Sequence, residues 1–221
     1  MKIFSIYLFG LLYVICLASY CQENYYEYNL DNFRKASVFN ERVDTKNPNT
    51  RILDAAIFYI TNEVRKKHKL PFLEYHKLLE ETALLHSGNM VKQHFFDHIN
   101  PKNREFKTPE DRARFIGIQN PFLAENIIES FVLDYKSGKP VFTDGKGKFW
   151  YKKEDQPLSV HTYLSLADRM VEDWMNSPPH RSNILSKKAL QLGCGTCFFE
   201  NKNGMPSVMG TQNFQLYEPV K

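Results

Sequence analysis

The chain has 221 residues and a formal charge of +4, from 29 basic and 25 acidic side chains. Because the basic residues are interspersed with acids and form no block, nucleic acid is not expected as a partner. The length suits one domain with a full-sized core, and the 17 phenylalanines and 12 tyrosines favour a packed globular fold.

The first segment has the plan of a secretory signal. Lys2 precedes an apolar run over residues 3–18, which is too short for a typical membrane span. Two processing sites remain open: cleavage before Gln22, or lipid attachment to Cys21. We therefore expect residues 1–21 to be a signal peptide of secretory or lipoprotein type, which places the protein outside the cell or in its envelope. Membrane contact is expected only if Cys21 is lipidated.

The next part of the chain predicts a polar arm followed by two helices. Residues 22–50 are polar without sustained periodicity, and we interpret them as an N-terminal arm lying on the domain or tethering it. An apolar stripe beginning at Leu53 predicts a first helix that ends before Pro71. A second helix is predicted from about residue 75 to 94. His86 lies on its apolar stripe and is interpreted as a buried core histidine, with a site role as the weaker alternative.

A short helix is predicted from Pro109 to about residue 115. Thr108 and Asp111 have the spacing of a capping pair, and Gly117 provides the stop. The segment that follows places the carboxylate of Glu125 beside an amide, at the start of an apolar run.

From residue 130 to 155 the sequence consists of short aromatic or β-branched runs separated by glycine-containing turns. This pattern predicts a small β-meander inserted into the domain. The insertion either covers an edge of the domain or closes over a ligand as a lid, and the covering role is favoured.

The segment from Trp174 to Leu185 combines a helix end, a stop and a second helix start. Ser177 followed by Pro178 predicts a hydroxyl N-cap and a proline in the first turn. His180 then lies in that turn, where free N–H groups and the helix dipole disfavour a protonated imidazole. We expect a neutral His180 that can bind a metal or accept a proton.

Two closing strands, over residues 191–199 and 207–214, are predicted to form a hairpin with its turn at Gly204. The first strand carries Cys194 and Cys197, whose Cα atoms would lie ~10 Å apart in a regular strand. A disulfide between them would therefore need a bulge. We interpret them as structural cysteines, free or paired, with redox and metal-binding roles as less favoured alternatives.

Three motifs stand in a definite order along the chain: Phe96-Asp97-His98, Ala124-Glu125-Asn126-Ile127 and the segment over residues 174–185. Together they resemble the CAP superfamily of cysteine-rich secretory, antigen 5 and pathogenesis-related 1 proteins, and most of all its bacterial SCP-like branch. The resemblance covers residues 51–217, interrupted by the insertion at 130–155. It implies an α+β fold, namely a three-layer α-β-α sandwich with a central antiparallel sheet and a groove on one side.

The resemblance also implies a groove lined by two histidines and two glutamates. His98 matches the first histidine, Glu125 the first glutamate and His180 the second histidine. The position that matches the second glutamate is Ser177, so the set is incomplete. Asp173 is a weak substitute for the missing acid, because its helical phase places it beside the apolar stripe.

This residue set leads to three predictions of function. The first is an extracellular or cell-envelope binding module whose ligand is a lipid, a glycan, a protein or a divalent metal such as zinc. The alternative is a metal-dependent hydrolase or peptidase in which His98, Glu125 and His180 bind the metal and act in catalysis, so enzymatic activity is left open. The second alternative is a hydrogen-bonded network that only stiffens the groove.

Overall fold

The structure is a computed structural model that describes residues 24–221, so the predicted signal peptide over residues 1–21 lies outside the described residues. Within the described part, no helix is both long and apolar enough to cross a bilayer. After a single 3-10 turn, the helices and strands in chain order are α1 Ser37–Asn40, α2 Thr50–Lys67, β1 Glu74–Tyr75, α3 Lys77–Gln93, α4 Pro109–Ile116, β2 Leu123–Phe131, β3 Phe142–Thr143, β4 Phe149–Trp150, α5 Tyr163–Asn176, α6 Pro178–Ile184, β5 Ala189–Glu200 and β6 Pro206–Leu216.

The predicted α+β sandwich of three layers is confirmed. A four-stranded sheet with the order β1-β5-β6-β2 forms the middle layer. α2 and α5 pack together on one of its faces, and α3 with α4 covers the other. One part of the prediction is wrong: β1 runs parallel to β5, so the sheet is mixed and not purely antiparallel. This strand of two residues belongs to the connection between α2 and α3, and its direction follows from the helices that it joins.

Two glycines of β5 allow α3 to lie directly on the sheet. A Cβ atom added at Gly193 would come within 2.0 Å of the backbone nitrogen of Glu80, and one at Gly195 within 2.2 Å of that of Leu84. Residues two apart in a strand share a face, so both glycines open the same face to the helix. This close approach determines where the C-terminal end of α3, and the loop after it, meet the sheet.

The local signals for helix ends and turns are confirmed. Thr108 and Asp111 form a reciprocal capping box at the start of α4, and Gly117 ends this helix with a φ of 110°. α2 starts earlier than its apolar stripe indicates, because Asn49 accepts a hydrogen bond from the backbone of Arg51 and caps the helix. The predicted hairpin of β5 and β6 is also present, with Gly204 at a φ of 72°.

The predicted meander is a hairpin of two short strands, β3 and β4. The first apolar run of the insertion, which begins at Phe131, does not form a strand of its own. Phe131 pairs with Ser207 as the last residue of β2, and Leu133 lies just after that strand. A small separate core, formed by Leu133, Phe149 and Met205, holds the hairpin against the turn between β5 and β6. The insertion therefore packs as a separate two-stranded sheet at one end of the domain.

Residues 24–49 contribute to the main hydrophobic core. Phe33 and Phe39 are fully buried there. Between them in the chain, Arg34 binds Glu63 of α2 at 2.7 Å and Asp168 of α5 at 2.8 Å. This guanidinium fastens the segment to two helices of the same layer.

Cys194 and Cys197 are both free. Their positions in β5 point to opposite faces of the strand, as expected for residues three apart. Cys194 is completely buried, and burial raises the pKa of its thiol. A buried thiol that stays protonated is chemically inert, which agrees with the structural interpretation without a disulfide.

Candidate functional site

The carboxylate of Glu125 is the centre of the site. β2 carries it on the face covered by α3 and α4, where only 2% of the side chain is exposed. Its Oε2 accepts a hydrogen bond from Arg112 at 2.7 Å, and its Oε1 accepts one from His98 Nδ1 at 2.9 Å. The amide of Asn213, in the orientation that satisfies both of its atoms, also donates to Oε2 at 3.1 Å. Burial raises the pKa of Glu125, but His98 and Arg112 outweigh it and hold the pKa below its usual range.

The sequence did not predict Arg112. Its side chain is fully buried, and it also donates to the backbone carbonyls of His98 at 3.1 Å and Phe106 at 3.2 Å. One guanidinium therefore ties Glu125 to the loop that carries His98. The surrounding sequence is polar and includes the exposed Arg114, so no local signal distinguishes the buried arginine from the exposed one.

His98 presents one ring nitrogen to the groove. It lies in the loop between α3 and α4, and 45% of its side chain is exposed. The hydrogen bond to Glu125 raises the pKa of His98 more than partial burial lowers it. With Nδ1 held by Glu125, Nε2 is the nitrogen left for a ligand, and in the protonated ring it is a donor.

His180 lies in the first turn of α6, as predicted. Burial lowers its pKa, and the charge of the nearby His98 lowers it further, so the ring favours the neutral form. The lowered pKa agrees with the neutral His180 that the sequence predicts. The prediction, however, rested on the helix dipole, whereas the causes are burial and the charge of His98. Ser177 occupies the N-cap position, but its side chain makes no capping hydrogen bond, so the predicted hydroxyl cap is wrong.

Trp174 and Asn183 hold α5 and α6 against the outer edge of β2. Trp174 Nε1 donates to the carbonyl of Ile127 at 3.1 Å, and Asn183 Nδ2 donates to the carbonyl of Glu125 at 3.2 Å. β2 is an edge strand, and these bonds satisfy carbonyl groups that a neighbouring strand would otherwise use. The tryptophan and asparagine of this segment therefore position His180 near Glu125.

The predicted second acid and the predicted zinc ligands do not fit the structure. Asp173 accepts a hydrogen bond from Arg169 at 2.9 Å on the surface of α5. The carboxylate of Glu125 is only 2% exposed and already accepts hydrogen bonds at both oxygens, and the adjacent guanidinium of Arg112 disfavours a cation. In residues 24–221, no three His, Cys, Asp or Glu side chains are grouped to hold a metal ion. We therefore do not assign zinc to His98, Glu125 and His180.

His86 lies beneath this cluster. The prediction of a buried core histidine is confirmed, since its side chain is 0% exposed. Its Nε2 is 3.6 Å from Oε1 of Glu125, which is too long for a hydrogen bond. Burial lowers the pKa of His86 to about 4, so the ring is neutral near pH 7.

We expect His86 to make the protein less stable in acid. With a native pKa of about 4 and an unfolded pKa of about 6.5, the unfolded chain takes up a proton first as the pH falls. The contribution of His86 to the free energy of unfolding is thus complete above the unfolded pKa and decreases through this window. The free energy of unfolding, measured with urea at several pH values, should fall less steeply with decreasing pH in His86→Gln than in the wild type. The control His68→Gln, which changes an exposed histidine, should show the same pH dependence as the wild type. Equal slopes for all three proteins would contradict this assignment.

Comparison with known proteins finds bacterial proteins that are similar to this chain at low sequence identity. The YlbC protein of Bacillus subtilis (strain 168), an uncharacterized membrane protein, is 27% identical over 139 residues, which are 63% of this chain and 30% of YlbC. The chain therefore spans less than a third of that relative. An extracellular SCP-domain protein of Bacillus anthracis (str. Ames) is 24% identical with a TM-score of 0.49, over 76% of this chain and 41% of the other. An outer surface protein of Borrelia burgdorferi is 15% identical with a TM-score of 0.48, over 80% of this chain and 98% of the other.

The family assignment rests on the match to a whole family and not on any one relative. The CAP family, described as the cysteine-rich secretory protein family, matches residues 58–214, which is well over half of the chain. This range contains His98, Glu125 and His180 together with the strands and helices that position them. The chain belongs to the cysteine-rich secretory protein (CAP) family.

Proposed function

We propose that the protein is an extracellular or cell-envelope binding module whose groove holds a ligand through His98 and His180. The observation that carries this proposal is the buried carboxylate of Glu125, which holds His98 Nδ1 at 2.9 Å. This bond fixes the direction of the ring and favours its protonated form, in which Nε2 is oriented as a donor before any ligand arrives. A preorganised donor costs less entropy on binding than a freely rotating one.

The pKa values of the two histidines are shifted in opposite directions, which bears on the chemistry of the ligand. The pKa of His98 is raised by Glu125, whereas the pKa of His180 is lowered by burial and by His98. The His98 ring is therefore biased toward the protonated form, in which Nε2 donates, and the His180 ring toward the neutral form, which keeps one donor and one acceptor nitrogen. An amide or a carboxyl group, which offers an oxygen acceptor, suits this pair.

Binding is favoured over both alternatives. The metal-dependent hydrolase requires Glu125 as a ligand or base, but Arg112 and His98 occupy both of its oxygens. A network that only stiffens the groove would have no use for an exposed imidazole, and 45% of the His98 side chain faces solvent. The exposed nitrogen is the feature that separates a binding site from a purely structural contact.

The test is a titration of the folded protein with sodium acetate and, separately, with N-acetylglycinamide. Binding is monitored through the ring signals of the histidines in NMR spectra. Both probes should shift the His98 and His180 signals. Glu125→Gln should weaken the response about tenfold, because loss of one charge-assisted hydrogen bond amounts to at least ~1.4 kcal/mol. The matched control is Glu129→Gln, which changes an exposed carboxylate on the same strand.

The proposal is wrong if neither probe shifts the two rings, or if Glu129→Gln and Glu125→Gln have the same effect. If Glu125→Gln does not fold, His98→Ala replaces it, since that side chain is half exposed. Zinc chloride serves as a separate probe. Saturable zinc binding that is lost in both His98→Ala and His180→Ala would overturn our rejection of a metal site.

A further inference from the structure

Two buried carboxyl groups have no part in the groove. Asp54 of α2 is 0% exposed and Glu80 of α3 is 8% exposed. In the described part of the chain, neither oxygen of Asp54 accepts a hydrogen bond, and Oε2 of Glu80 has no donor either. Buried carboxylates ordinarily have a cation or several hydrogen-bond donors beside them, so these two acids require a physical explanation.

The two carboxyls belong to one cluster. Besides burial, their charges raise the pKa of the thiol of Cys194 in β5 and of the hydroxyl of Tyr26 in the N-terminal arm. Burial raises the pKa of Asp54, and the charge of Glu80 raises it further. Burial also raises the pKa of Glu80, against the opposing effect of the hydroxyls of Tyr26 and Tyr75. Both carboxyls therefore favour the protonated form more strongly than a carboxyl in water does.

The cluster has no counter-ion in contact with it. Arg51, one turn before Asp54 on α2, is the cation that acts on both carboxyls, but it forms no ion pair with either in the described part of the chain. Its guanidinium lies 5.8 Å from the ring centroid of Tyr25. Two full negative charges in this position would be buried without a partner, which a protein interior strongly disfavours. The other titratable groups beside the two acids are Tyr26 of the arm, Tyr75 of β1, His76 before α3, Glu81 of α3, and Cys194 and Cys197 of β5.

Tyr26 is the member of the cluster whose backbone is least constrained. Its ring stacks on Tyr75 with the centroids 3.7 Å apart and meets the ring of Phe58 edge-on at 5.5 Å. Its hydroxyl is buried, yet it has no hydrogen-bond partner of ordinary geometry among the described residues. Asp54 and Glu80 lie in helices, whereas Tyr26 lies outside any helix or strand. Local opening of the cluster therefore needs the least disruption at Tyr26.

The rest of the arm has anchors that do not depend on the two acids. Phe33 and Phe39 are buried in the main core, and Arg34 is ion-paired to two helices. Tyr59 of α2 also donates to the backbone carbonyl of Tyr28 at 2.9 Å. Movement of Tyr26 would therefore open the arm locally and leave the domain folded.

We propose that Asp54, Glu80 and Tyr26 form a pH-sensitive latch on the N-terminal arm. While the two acids are protonated, the ring of Tyr26 stays closed over them. When both acids lose their protons, the carboxylates need water, and Tyr26 moves away to admit it. Because the arm directly follows the predicted signal peptide, an open latch lengthens the connection to any anchor at Cys21.

The latch opens as the pH rises. The closed form holds its protons to higher pH than the open, hydrated form does, so each proton lost favours opening. The contribution of the two acids to the free energy of unfolding is complete below the ordinary carboxyl range, at about pH 4. It decreases as the pH rises through the raised pKa values of Asp54 and Glu80. The sign is opposite to that of His86, whose contribution is lost as the pH falls.

The experiment uses the folded chain with carbon-13 in its side chains, titrated from about pH 4 to about pH 9 and followed by NMR. The carboxyl signals of Asp54 and Glu80 should titrate above the ordinary range of such groups. The ring signals of Tyr26 and Tyr75 should shift together with them as the stacking is lost, while the ring signal of Phe33 should stay in place. Both tyrosines remain neutral throughout, because their ordinary pKa is about 10 and burial raises it.

Isosteric variants fix the neutral form of the cluster. Asp54→Asn combined with Glu80→Gln should abolish the shift of the Tyr26 ring over the titration, because neither amide has a proton to lose. The matched control Glu81→Gln, which changes a carboxyl 40% exposed at the next position of α3, should keep the wild-type shift. Tyr26→Ala should hold the Tyr75 ring signal at its open position at every pH.

Three results would overturn the proposal. The first is titration of both carboxyls in the ordinary range, a measurement on the wild type that is decisive even if the double variant does not fold. The second is loss of both protons without any shift of Tyr26, which would make the two acids a purely structural pair. The third is an unchanged Tyr26 shift in the double variant, which would assign the transition to His76 or to another group.

Discussion

Replacement of Arg112 by methionine should lower the free energy of unfolding by about 3–5 kcal/mol, because it leaves the buried carboxylate of Glu125 without its cationic partner. Both side chains are almost inaccessible, at 0% and 2% exposure, so water cannot replace the lost charge. The same change removes the hydrogen bonds to the carbonyls of His98 and Phe106. We therefore expect the His98 loop to lose order as well, visible as a shift of the His98 ring signal.

The neighbouring Arg114 is the matched control for this change. It lies on the same helix with 59% of its side chain exposed, and its pair with Asp111 is long at 3.7 Å. Arg114→Met should therefore cost less than about 0.5 kcal/mol in urea unfolding. The double variant Arg112→Met with Glu125→Gln should recover part of the loss, since the uncompensated charge is gone. Equal stability of the two single variants would show that the buried pair does not hold the site together.

Gly195→Ala should strongly destabilise the packing of α3 on the sheet, lowering the free energy of unfolding by about 3 kcal/mol or more. The added Cβ would lie 2.2 Å from the backbone nitrogen of Leu84. A backbone atom in the middle of α3 cannot rotate away, so the helix must move off β5. That movement would displace the end of α3 and the His98 loop with it.

Gly88→Ala, a substitution within α3, should have the opposite effect on the free energy of unfolding. A Cβ at Gly88 meets no atom within 4 Å, and the residue lies in the interior of α3. Alanine loses less conformational freedom than glycine on folding, so stability should rise by about 0.5–1 kcal/mol. Thermal unfolding monitored by circular dichroism compares both variants with the wild type. A neutral Gly195→Ala would show that α3 is free to adjust its distance from the sheet.

Both predictions test whether contacts outside the groove hold the site residues in place. Glu125 belongs to an edge strand, Arg112 to a short helix and His98 to a loop, and none of these elements is rigid alone. The close contact of α3 with β5 and the guanidinium of Arg112 together hold the three in register. The ligand recognition that we propose for His98 thus depends on residues that lie outside the groove.

Local signals in the sequence correctly predicted the positions of most elements. The capping pair of Thr108 and Asp111, the stop at Gly117 and the turn at Gly204 all act over a few residues. The identities of neighbouring residues are therefore sufficient to predict them. The three-layer arrangement followed from the family resemblance, which also brought His98, Glu125 and His180 to one groove.

The tertiary structure alone decided the chemistry of that groove. Oε1 and Oε2 of Glu125 bind His98 and Arg112, 27 and 13 residues away. Because His98 lies in a loop and Arg112 in α4, far from Glu125 along the chain, their contacts with Glu125 produce no periodic pattern in the sequence. The sequence therefore could not show that Glu125 is already engaged, because a buried arginine in a polar helix is indistinguishable by sequence from an exposed one. The charge state of a buried carboxylate is determined by the groups that the fold brings within about 3 Å of it, and those groups are known only when the helices and strands are packed.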